Sequence, residues 1–449
     1  MPLSIAYTRR SRALETCKIE IRLQSPGRGY GLAMNYLASG ERQDELSTGR
    51  TWPAPWAFGV LILPLGMFVG FIWTALPFLL SKSGVSVEQI SRMAAILQIP
   101  PMLMFLWTPV VDVRLRRRTW LVLAASSAAA LVIIACPLIG ASNFDLLAVL
   151  LFLTGAVLAL VYASCGGLMT RTLSAAGQGK AAAWNQAGNF GGGVLGAALV
   201  LWLAQRFSLP AIGIAMAALM LLPALLALTI AEPPPISSYW FRGRFKEMGR
   251  EARAVLQSPR RRWSVLLMIS PACTCAAQPL LPALAARYGV NAEGVLWNNG
   301  VAGGILLAAG SLLGLLVPGD WDRRLTYVGA GVSNAAGAMV LLGHSRPSSY
   351  FAGSLIYLLT AGFCQARALA LTLDVVGNDI DDAGTWFSAL TALSGMAVVS
   401  MIWVEGRMYH YYGARGLLWT DAAGNLLVFA VVVTAFLIRS SSYRTSQYE

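Results

Sequence analysis

Residues 105–121 read Phe105-Leu106-Trp107-Thr108-Pro109-Val110-Val111-Asp112-Val113-Arg114-Leu115-Arg116-Arg117-Arg118-Thr119-Trp120-Leu121. An apolar stretch ends at a proline and an acid, a basic cluster follows, and a second apolar stretch begins at once. The flanking apolar runs span 89–111 and 119–140. A helix needs about 20 apolar residues to cross a bilayer, so 105–121 reads as a tight turn between two membrane helices. Its charges suit two roles. An acid beside arginines at a helix junction can pair with them, or with a helix N-terminus, and so latch one conformation. Alternatively the arginines anchor the turn at the membrane surface and Asp112 is incidental. The chemistry of Asp112, Arg116, Arg117 and Arg118 leaves both roles open.

Outward from this turn, ten more apolar runs follow the same pattern: 55–80, 144–170, 181–204, 209–231, 263–286, 294–317, 325–343, 350–373, 384–408 and 416–438. The twelve runs are too long and too continuously apolar for barrel strands. The expected fold is therefore an all-α membrane protein of twelve transmembrane helices in two six-helix bundles. Residues 1–50 read as a polar, basic, disordered cytoplasmic tail, with Met34 as an alternative start. The first bundle is expected over 51–231, a basic cytoplasmic linker over 232–262, the second bundle over 263–438 and a cytoplasmic tail over 439–449.

Composition agrees. Of 449 residues, 56% are hydrophobic and 12% charged, and the mean hydropathy is +0.61. That excludes a disordered chain and an ordinary soluble enzyme. The net charge of +13 reflects topology, because 26 of the 34 basic residues fall in the tails and in alternate turns. By the positive-inside rule both termini are cytoplasmic. No basic stripe alternates with aromatics, so nucleic acid is not an expected partner. Six cysteines and two histidines, without a CxxC pair or a Cys/His cluster, give neither a metal site nor a disulfide framework. No cofactor is expected, and no Walker A pattern points to ATP.

The halves echo each other. Gly84-Val85 and Glu88 recur as Gly289-Val290 and Glu293, Thr154 as Thr360, and Trp184 as Trp386, at offsets of 202–206. The turn at 109–118 has a counterpart in Pro318-Gly319-Asp320-Trp321-Asp322-Arg323-Arg324. Asp320, Arg323 and Arg324 thus join Asp112 and Arg116 to Arg118 as candidate gating residues. A near-constant offset points to a duplicated transporter.

Polar residues inside the apolar runs are the candidate site, because each is costly there unless it faces water or a partner. Run five offers Trp184, Asn185, Gln186 and Asn189. Run eight offers Trp297, Asn298 and Asn299. Run seven offers Gln278, run one Trp73, run four Tyr162 and run ten Gln365. Indole faces and amides suit a sugar-like or peptide-like solute; hydrogen bonds between helices would use the same residues. Arg367 lies well inside run ten and stays ionised, so it needs an anion. That anion is either a substrate carboxylate or phosphate, or Asp374, two helical turns on. Asp145, Asp421, Glu405 and Asp374 all lie toward the ends of their runs. The proton stays a candidate coupling ion with no assigned carboxylate.

Twelve runs, a basic central loop and an Asp/Arg turn after run two resemble the major facilitator superfamily. The familiar turn of that family, Gly-x-x-x-Asp-Arg-x-Gly-Arg-Arg, is kept here at Asp112 and Arg116 to Arg118. Thr108 and Val113 replace its first Gly and first Arg, and its second Gly is missing. The form Phe-Leu-Trp-x-Pro-x-x-Asp followed by Arg-Arg-Arg-x-Trp-Leu, with GVLGAALVLWLAQR at 193–206, is similar to the muropeptide permease (AmpG-like) and acetyl-CoA transporter branch. The resemblance implies alternating access by a single chain, with the substrate surrounded by helices one, four, seven and ten. It also implies a seam between halves at helices five and eight, where Gly188, Gly192, Gly196, Gly300 and Gly304 would allow close packing. The implied activity is secondary transport of a small organic solute across a bacterial-type inner membrane. Muropeptides are the branch's own substrate class; a siderophore or acyl-nucleotide is an alternative. Drug or metabolite efflux and a non-transporting pigment or assembly factor of the same fold are the rival functions. Nothing in the sequence points to an enzyme.

Overall fold

A computed structural model describes residues 52–113, 115–140, 144–232, 257–343, 345–377 and 383–445. The tail expected over 1–50, most of the linker expected over 232–262 and residues 446–449 lie outside them. All regular structure among the described residues is helical. Among the described residues, nine segments are long and apolar enough to cross a membrane. The ninth, Ala383–Phe436, contains Gly413 at φ +63°, which breaks the helix into two limbs. Counting them separately makes ten; the remaining two of the twelve runs are interrupted.

The helices are α1 (Ala57–Leu61 and Leu63–Lys82), α2 (Val87–Leu97), α3 (Arg117–Ala135), α4 (Phe144–Thr172), α5 (Ala175–Leu203) and α6 (Leu209–Leu225). The second half has α7 (Pro259–Met268), α8 (Glu293–Leu316), α9 (Arg323–Gly343) and α10 (Pro347–Val376). The limbs of Ala383–Thr445 before and after Gly413 are α11 and α12.

Local chemistry sets the boundaries. Ser86 and Gln89 form a capping box at the start of α2, each side chain meeting the other's backbone N–H at 3.3 Å. Pro100, Pro101 and Pro109 then remove backbone donors. Run two accordingly continues past α2 as short pieces, Ile99–Leu103, Met104–Leu106 and Thr108–Asp112. Run seven breaks after Met268, where Pro271 follows and Cys273 and Cys275 take φ of +55° and +50°. Irregular backbone at membrane depth is tolerated where protein buries it. Cys273 and Cys275 are buried, and the Cys273 N–H donates to Asn425 Oδ1 on α12 at 2.9 Å.

The first bundle closes through backbone contact between α1 and α5. A Cβ on Gly188 would strike the Gly59 carbonyl, one on Gly196 the Met67 carbonyl, and one on Gly192 would lie 3.2 Å from the Gly66 Cα. The glycine stripe of α5 therefore faces α1 inside its own half and not the seam, contrary to expectation. On α8, a Cβ on Gly304 would meet Val194 of α5, whereas Gly300 would meet only Leu296 of α8 itself. Four-residue spacing puts glycines on one face but does not say which neighbour fills it.

Candidate functional site

A cavity of about 410 Å³ lies between the halves. From the first half it is lined by Leu65 and Val69 of α1; Gln98, Pro101, Met102 and Met104 beyond α2; Gly155, Ala159 and Tyr162 of α4; and Gln186, Asn189 and Phe190 of α5. From the second half it is lined by Gln278, by Gln365 of α10, and by Thr391, Gly395, Val398, Val399 and Ile402 of α11. Among the described residues that line it, the polar groups are five amides, one phenol and one hydroxyl, and none is charged. Asn189 Oδ1 is buried without a hydrogen-bond partner. Tyr162 faces Thr391 and Gln186, and its ring lies 5.0 Å from that of Phe387, joining α4 to α11 beside the cavity.

Five sequence candidates therefore meet at one place: Tyr162, Gln186, Asn189, Gln278 and Gln365. The others do not line it. Asn185 donates to the Phe58 carbonyl (3.4 Å) and to Cys165 Sγ (3.5 Å), tying α5 to α1 and α4. Asn298 donates to Asn299 Oδ1 (2.8 Å) and to Ser354, and Tyr350 donates to Asn299 Oδ1 (3.1 Å), so this pair fastens α8 to α10. Trp184 packs near Gly59 of α1, and Trp73 and Trp297 are 45% and 60% exposed. Gln98, Thr391 and the rest of the α11 wall are the residues that sequence reading missed. Thr391 sits in a run apolar on all sides, where periodicity assigns no face.

Arg367 is 4% exposed and does not line the cavity. It points between α10 and α9, where its Nη2 donates to Thr326 Oγ1 at 2.8 Å. Asp374, the alternative partner expected from spacing, is engaged elsewhere: 3.6 Å from Arg260 and 3.9 Å from Arg323.

In the turn after the short pieces of run two, Asp112 ties the two halves together. Asp112 is 5% exposed. Its Oδ1 pairs with Arg117 Nη2 at 2.6 Å and accepts from Arg117 Nε at 2.8 Å. Its Oδ2 accepts from the Thr385 N–H (2.7 Å) and the Thr385 hydroxyl (2.8 Å), and the Gly384 N–H lies 3.4 Å from Oδ1. An anion from the first half thus caps the positive N-terminal end of α11 in the second. Glu232 does the same for α3, accepting the N–H groups of Arg117 and Arg118 at 3.1 Å each. Arg118 Nη1 also donates to the Ile230 carbonyl at 2.8 Å, while Arg116 stays exposed.

The counterpart turn mirrors this with different chemistry. Arg323 Nη1 donates to the Ala370 carbonyl at 2.8 Å, and Nη2 reaches across to the Ala175 carbonyl at the start of α5. Each half therefore grips the first turn of a helix in the other. The acid that orders this turn is Asp322, not Asp320: Asp322 Oδ1 accepts the Arg324 N–H at 2.8 Å and pairs with its guanidinium, while Asp320 is exposed. The Arg324 hydrogen bond holds the Asp322 carboxyl below the usual carboxylate range.

A model of the Major Facilitator Superfamily matches residues 57–396. The chain belongs to the major facilitator superfamily. Solved members share its fold at low identity. The human organic anion transporter MFSD10 (TETRAN) superposes with a TM-score of 0.64 at 16% identity, covering 83% of this chain and 97% of that one. The Escherichia coli fucose:proton symporter FucP gives 0.63 at 15%, covering 85% and 98%. The proton:xylose symporter XylE, bound to 6-bromo-6-deoxy-D-glucose, gives 0.60 at 12%, covering 85% and 94%. No curated protein matches by sequence.

Proposed function

We propose that the chain is a secondary transporter, working as one polypeptide, that moves a small, uncharged, hydrogen-bonding organic solute by alternating access. The observation carrying this reading is the cavity: both halves supply its walls, and among the described residues its polar groups are amides and hydroxyls without one charged side chain. Its volume falls within the roughly 300–1,000 Å³ of ordinary ligand sites. A dehydrated carboxylate or phosphate there would lack a counter-charge, which costs several kcal/mol. Neutral hydroxyl and amide groups can replace their water bonds with Gln186, Asn189, Gln278 and Gln365, while Leu65, Val69, Phe190 and Val398 take an apolar face. Proteins similar in fold carry sugars or organic anions by their names; the uncharged lining favours the first class. The muropeptide resemblance fits through the amino-sugar and amide groups, not through peptide carboxylates.

The Asp112 and Arg323 contacts hold the halves together on the side of the basic turns, which we place at the cytoplasm of an inner membrane with both termini inside. Transport then requires those contacts to break as the halves rock. Proteoliposome uptake tests the reading across neutral sugars, amino-sugar amides, muropeptides, siderophores and nucleotides, with and without a pH gradient. Neutral compounds should be carried and Gln186→Ala and Gln365→Ala should each raise KM about 5- to 30-fold, one to two lost hydrogen bonds' worth. Uptake confined to anions would overturn it.

A further inference from the structure

Glu405 on α11 and Asp421 on α12 are 16 positions apart. One straight helix would hold them about 24 Å apart. The break at Gly413 instead brings their carboxyls within hydrogen-bonding reach. Glu405 is 0% and Asp421 1% exposed. Both oxygens of Glu405 and Oδ2 of Asp421 have no hydrogen-bond partner. The fourth oxygen, Asp421 Oδ1, accepts from the Tyr357 hydroxyl of α10 at 3.0 Å.

Among the described residues, none of the groups acting on the pair is a cation. From the broken run seven, Cys275 faces both carboxyls; from α10, Cys364 faces Asp421 beside Tyr357. On the pair's own limbs the nearest arginines in the chain, Arg407 and Arg415, are exposed, and Arg407 stacks on Trp403 at 5.2 Å from the ring centre. Asn425 is committed to the Asp421 carbonyl (3.0 Å) and the Cys273 N–H (2.9 Å). Two ionised carboxylates side by side in such a place would face both burial and mutual repulsion. A single O–H between them removes one charge and joins two of the three unpartnered oxygens, one carrying the proton and the other accepting it.

We infer that Glu405 and Asp421 together form a proton-binding site in the second half of the molecule. Position gives it a use. Val398 and Ile402 line the solute cavity, and Glu405 follows them at seven and three residues, on the same side of α11. The site is thus about one turn beyond the cavity wall, sealed from it in this conformation. Its proton can leave only when the packing between α11, α12 and α10 changes, and α11 is also the helix whose first turn Asp112 grips. Proton release and latch opening therefore act on the same rod. This coupling rests on the transport reading; the bound proton does not.

The test needs no solute. Infrared spectra of the purified protein in liposomes at neutral pH should show a protonated-carboxyl stretch that shifts in D2O. Glu405→Gln and Asp421→Asn should each shift or remove that band, because either replaces the carboxyl that shares the proton with a neutral amide. Should either variant fail to fold, wild-type protein with 13C-glutamate or 13C-aspartate should shift the band instead. Absence of the band, or a band unmoved by both variants and both labels, would overturn the inference. So would a band that vanishes on adding sodium at fixed pH, which would assign the pair to a metal cation. If the band behaves as expected and the uptake panel is carried without response to a pH gradient, the proton site stands and the coupling falls.

Discussion

Replacing Asp112 with Asn is the sharpest perturbation the latch offers. Shape is nearly conserved, but one acceptor oxygen becomes an NH2 donor. If the remaining oxygen stays with Arg117, the amide faces the Thr385 N–H at the 2.7 Å now bridged by Oδ2, donor against donor. If it turns the other way, the amide meets Arg117. Arg117 keeps Glu232 at 3.5 Å as a second partner, so the loss falls mainly on the contact between halves. That contact comprises charge-assisted bonds to the N–H and hydroxyl of Thr385, plus the interaction of a buried negative charge with a helix N-terminus. Losing about one charge-assisted bond and the dipole term removes roughly 2–4 kcal/mol. All of it belongs to the conformation closed on the basic side, because the partners separate when the halves part. At 1.4 kcal/mol per factor of ten, the equilibrium should move roughly 30- to 700-fold toward the other conformation. Pulsed electron resonance between spin labels on Lys180→Cys and Asp320→Cys reads this directly. Both positions are exposed, and they flank the close approach of Gly319 to Ala176. The five described native cysteines are buried and contribute little labelling. A short distance should dominate beforehand and a longer one should appear with Asp112→Asn. A distance distribution unchanged in the folded variant would refute the latch.

Three further expectations follow from the geometry. Gly188→Leu should abolish folding or lower the melting temperature sharply, because the side chain would enter the Gly59 backbone; a well-folded variant, judged by size-exclusion chromatography, would reject backbone contact there. Arg367→Met, which keeps volume but loses the bond to Thr326, should lower thermal stability and change KM less than twofold in uptake; a tenfold rise in KM would restore Arg367 to the substrate. Asp322, held below the usual range by Arg324, is charged across ordinary assay pH. The sign follows: its contribution is present above the unfolded value and fades only as pH falls through the lowered one. Wild type and Asp322→Asn should therefore differ in melting temperature at pH 7 and at pH 5 by similar amounts, and converge only in stronger acid.

The twelve apolar runs and the two-half organisation were legible because hydrocarbon tolerates so little else. The cavity was half legible: an amide such as Gln186 or Gln278 announces itself within an apolar run. Which amides share a space did not, since Asn298 and Asn185 carry the same chemistry and spend it on helix contacts. The glycine stripe of α5 shows the same gap, its face being readable and its neighbour not. In the turn at 318–324 two acids stand two residues apart, and only the backbone's path gives Asp322 to Arg324. Glu405 and Asp421 looked peripheral because each was judged by its distance from the end of its own run. Their burial comes from a pairing that Gly413 creates and no single run displays.

The two crossings on the basic side differ in sign and origin: an acid of the first half on α11, an arginine of the second on α5. Because each grips a different rod, undoing one leaves the other in place. In the proposed transport cycle an empty protein must release both before it can turn over, so the two factors multiply rather than average. If each alone slowed idle turnover tenfold, together they would slow it a hundredfold. If the proposed transport runs against a gradient, that product sets how slowly the accumulated solute leaks back.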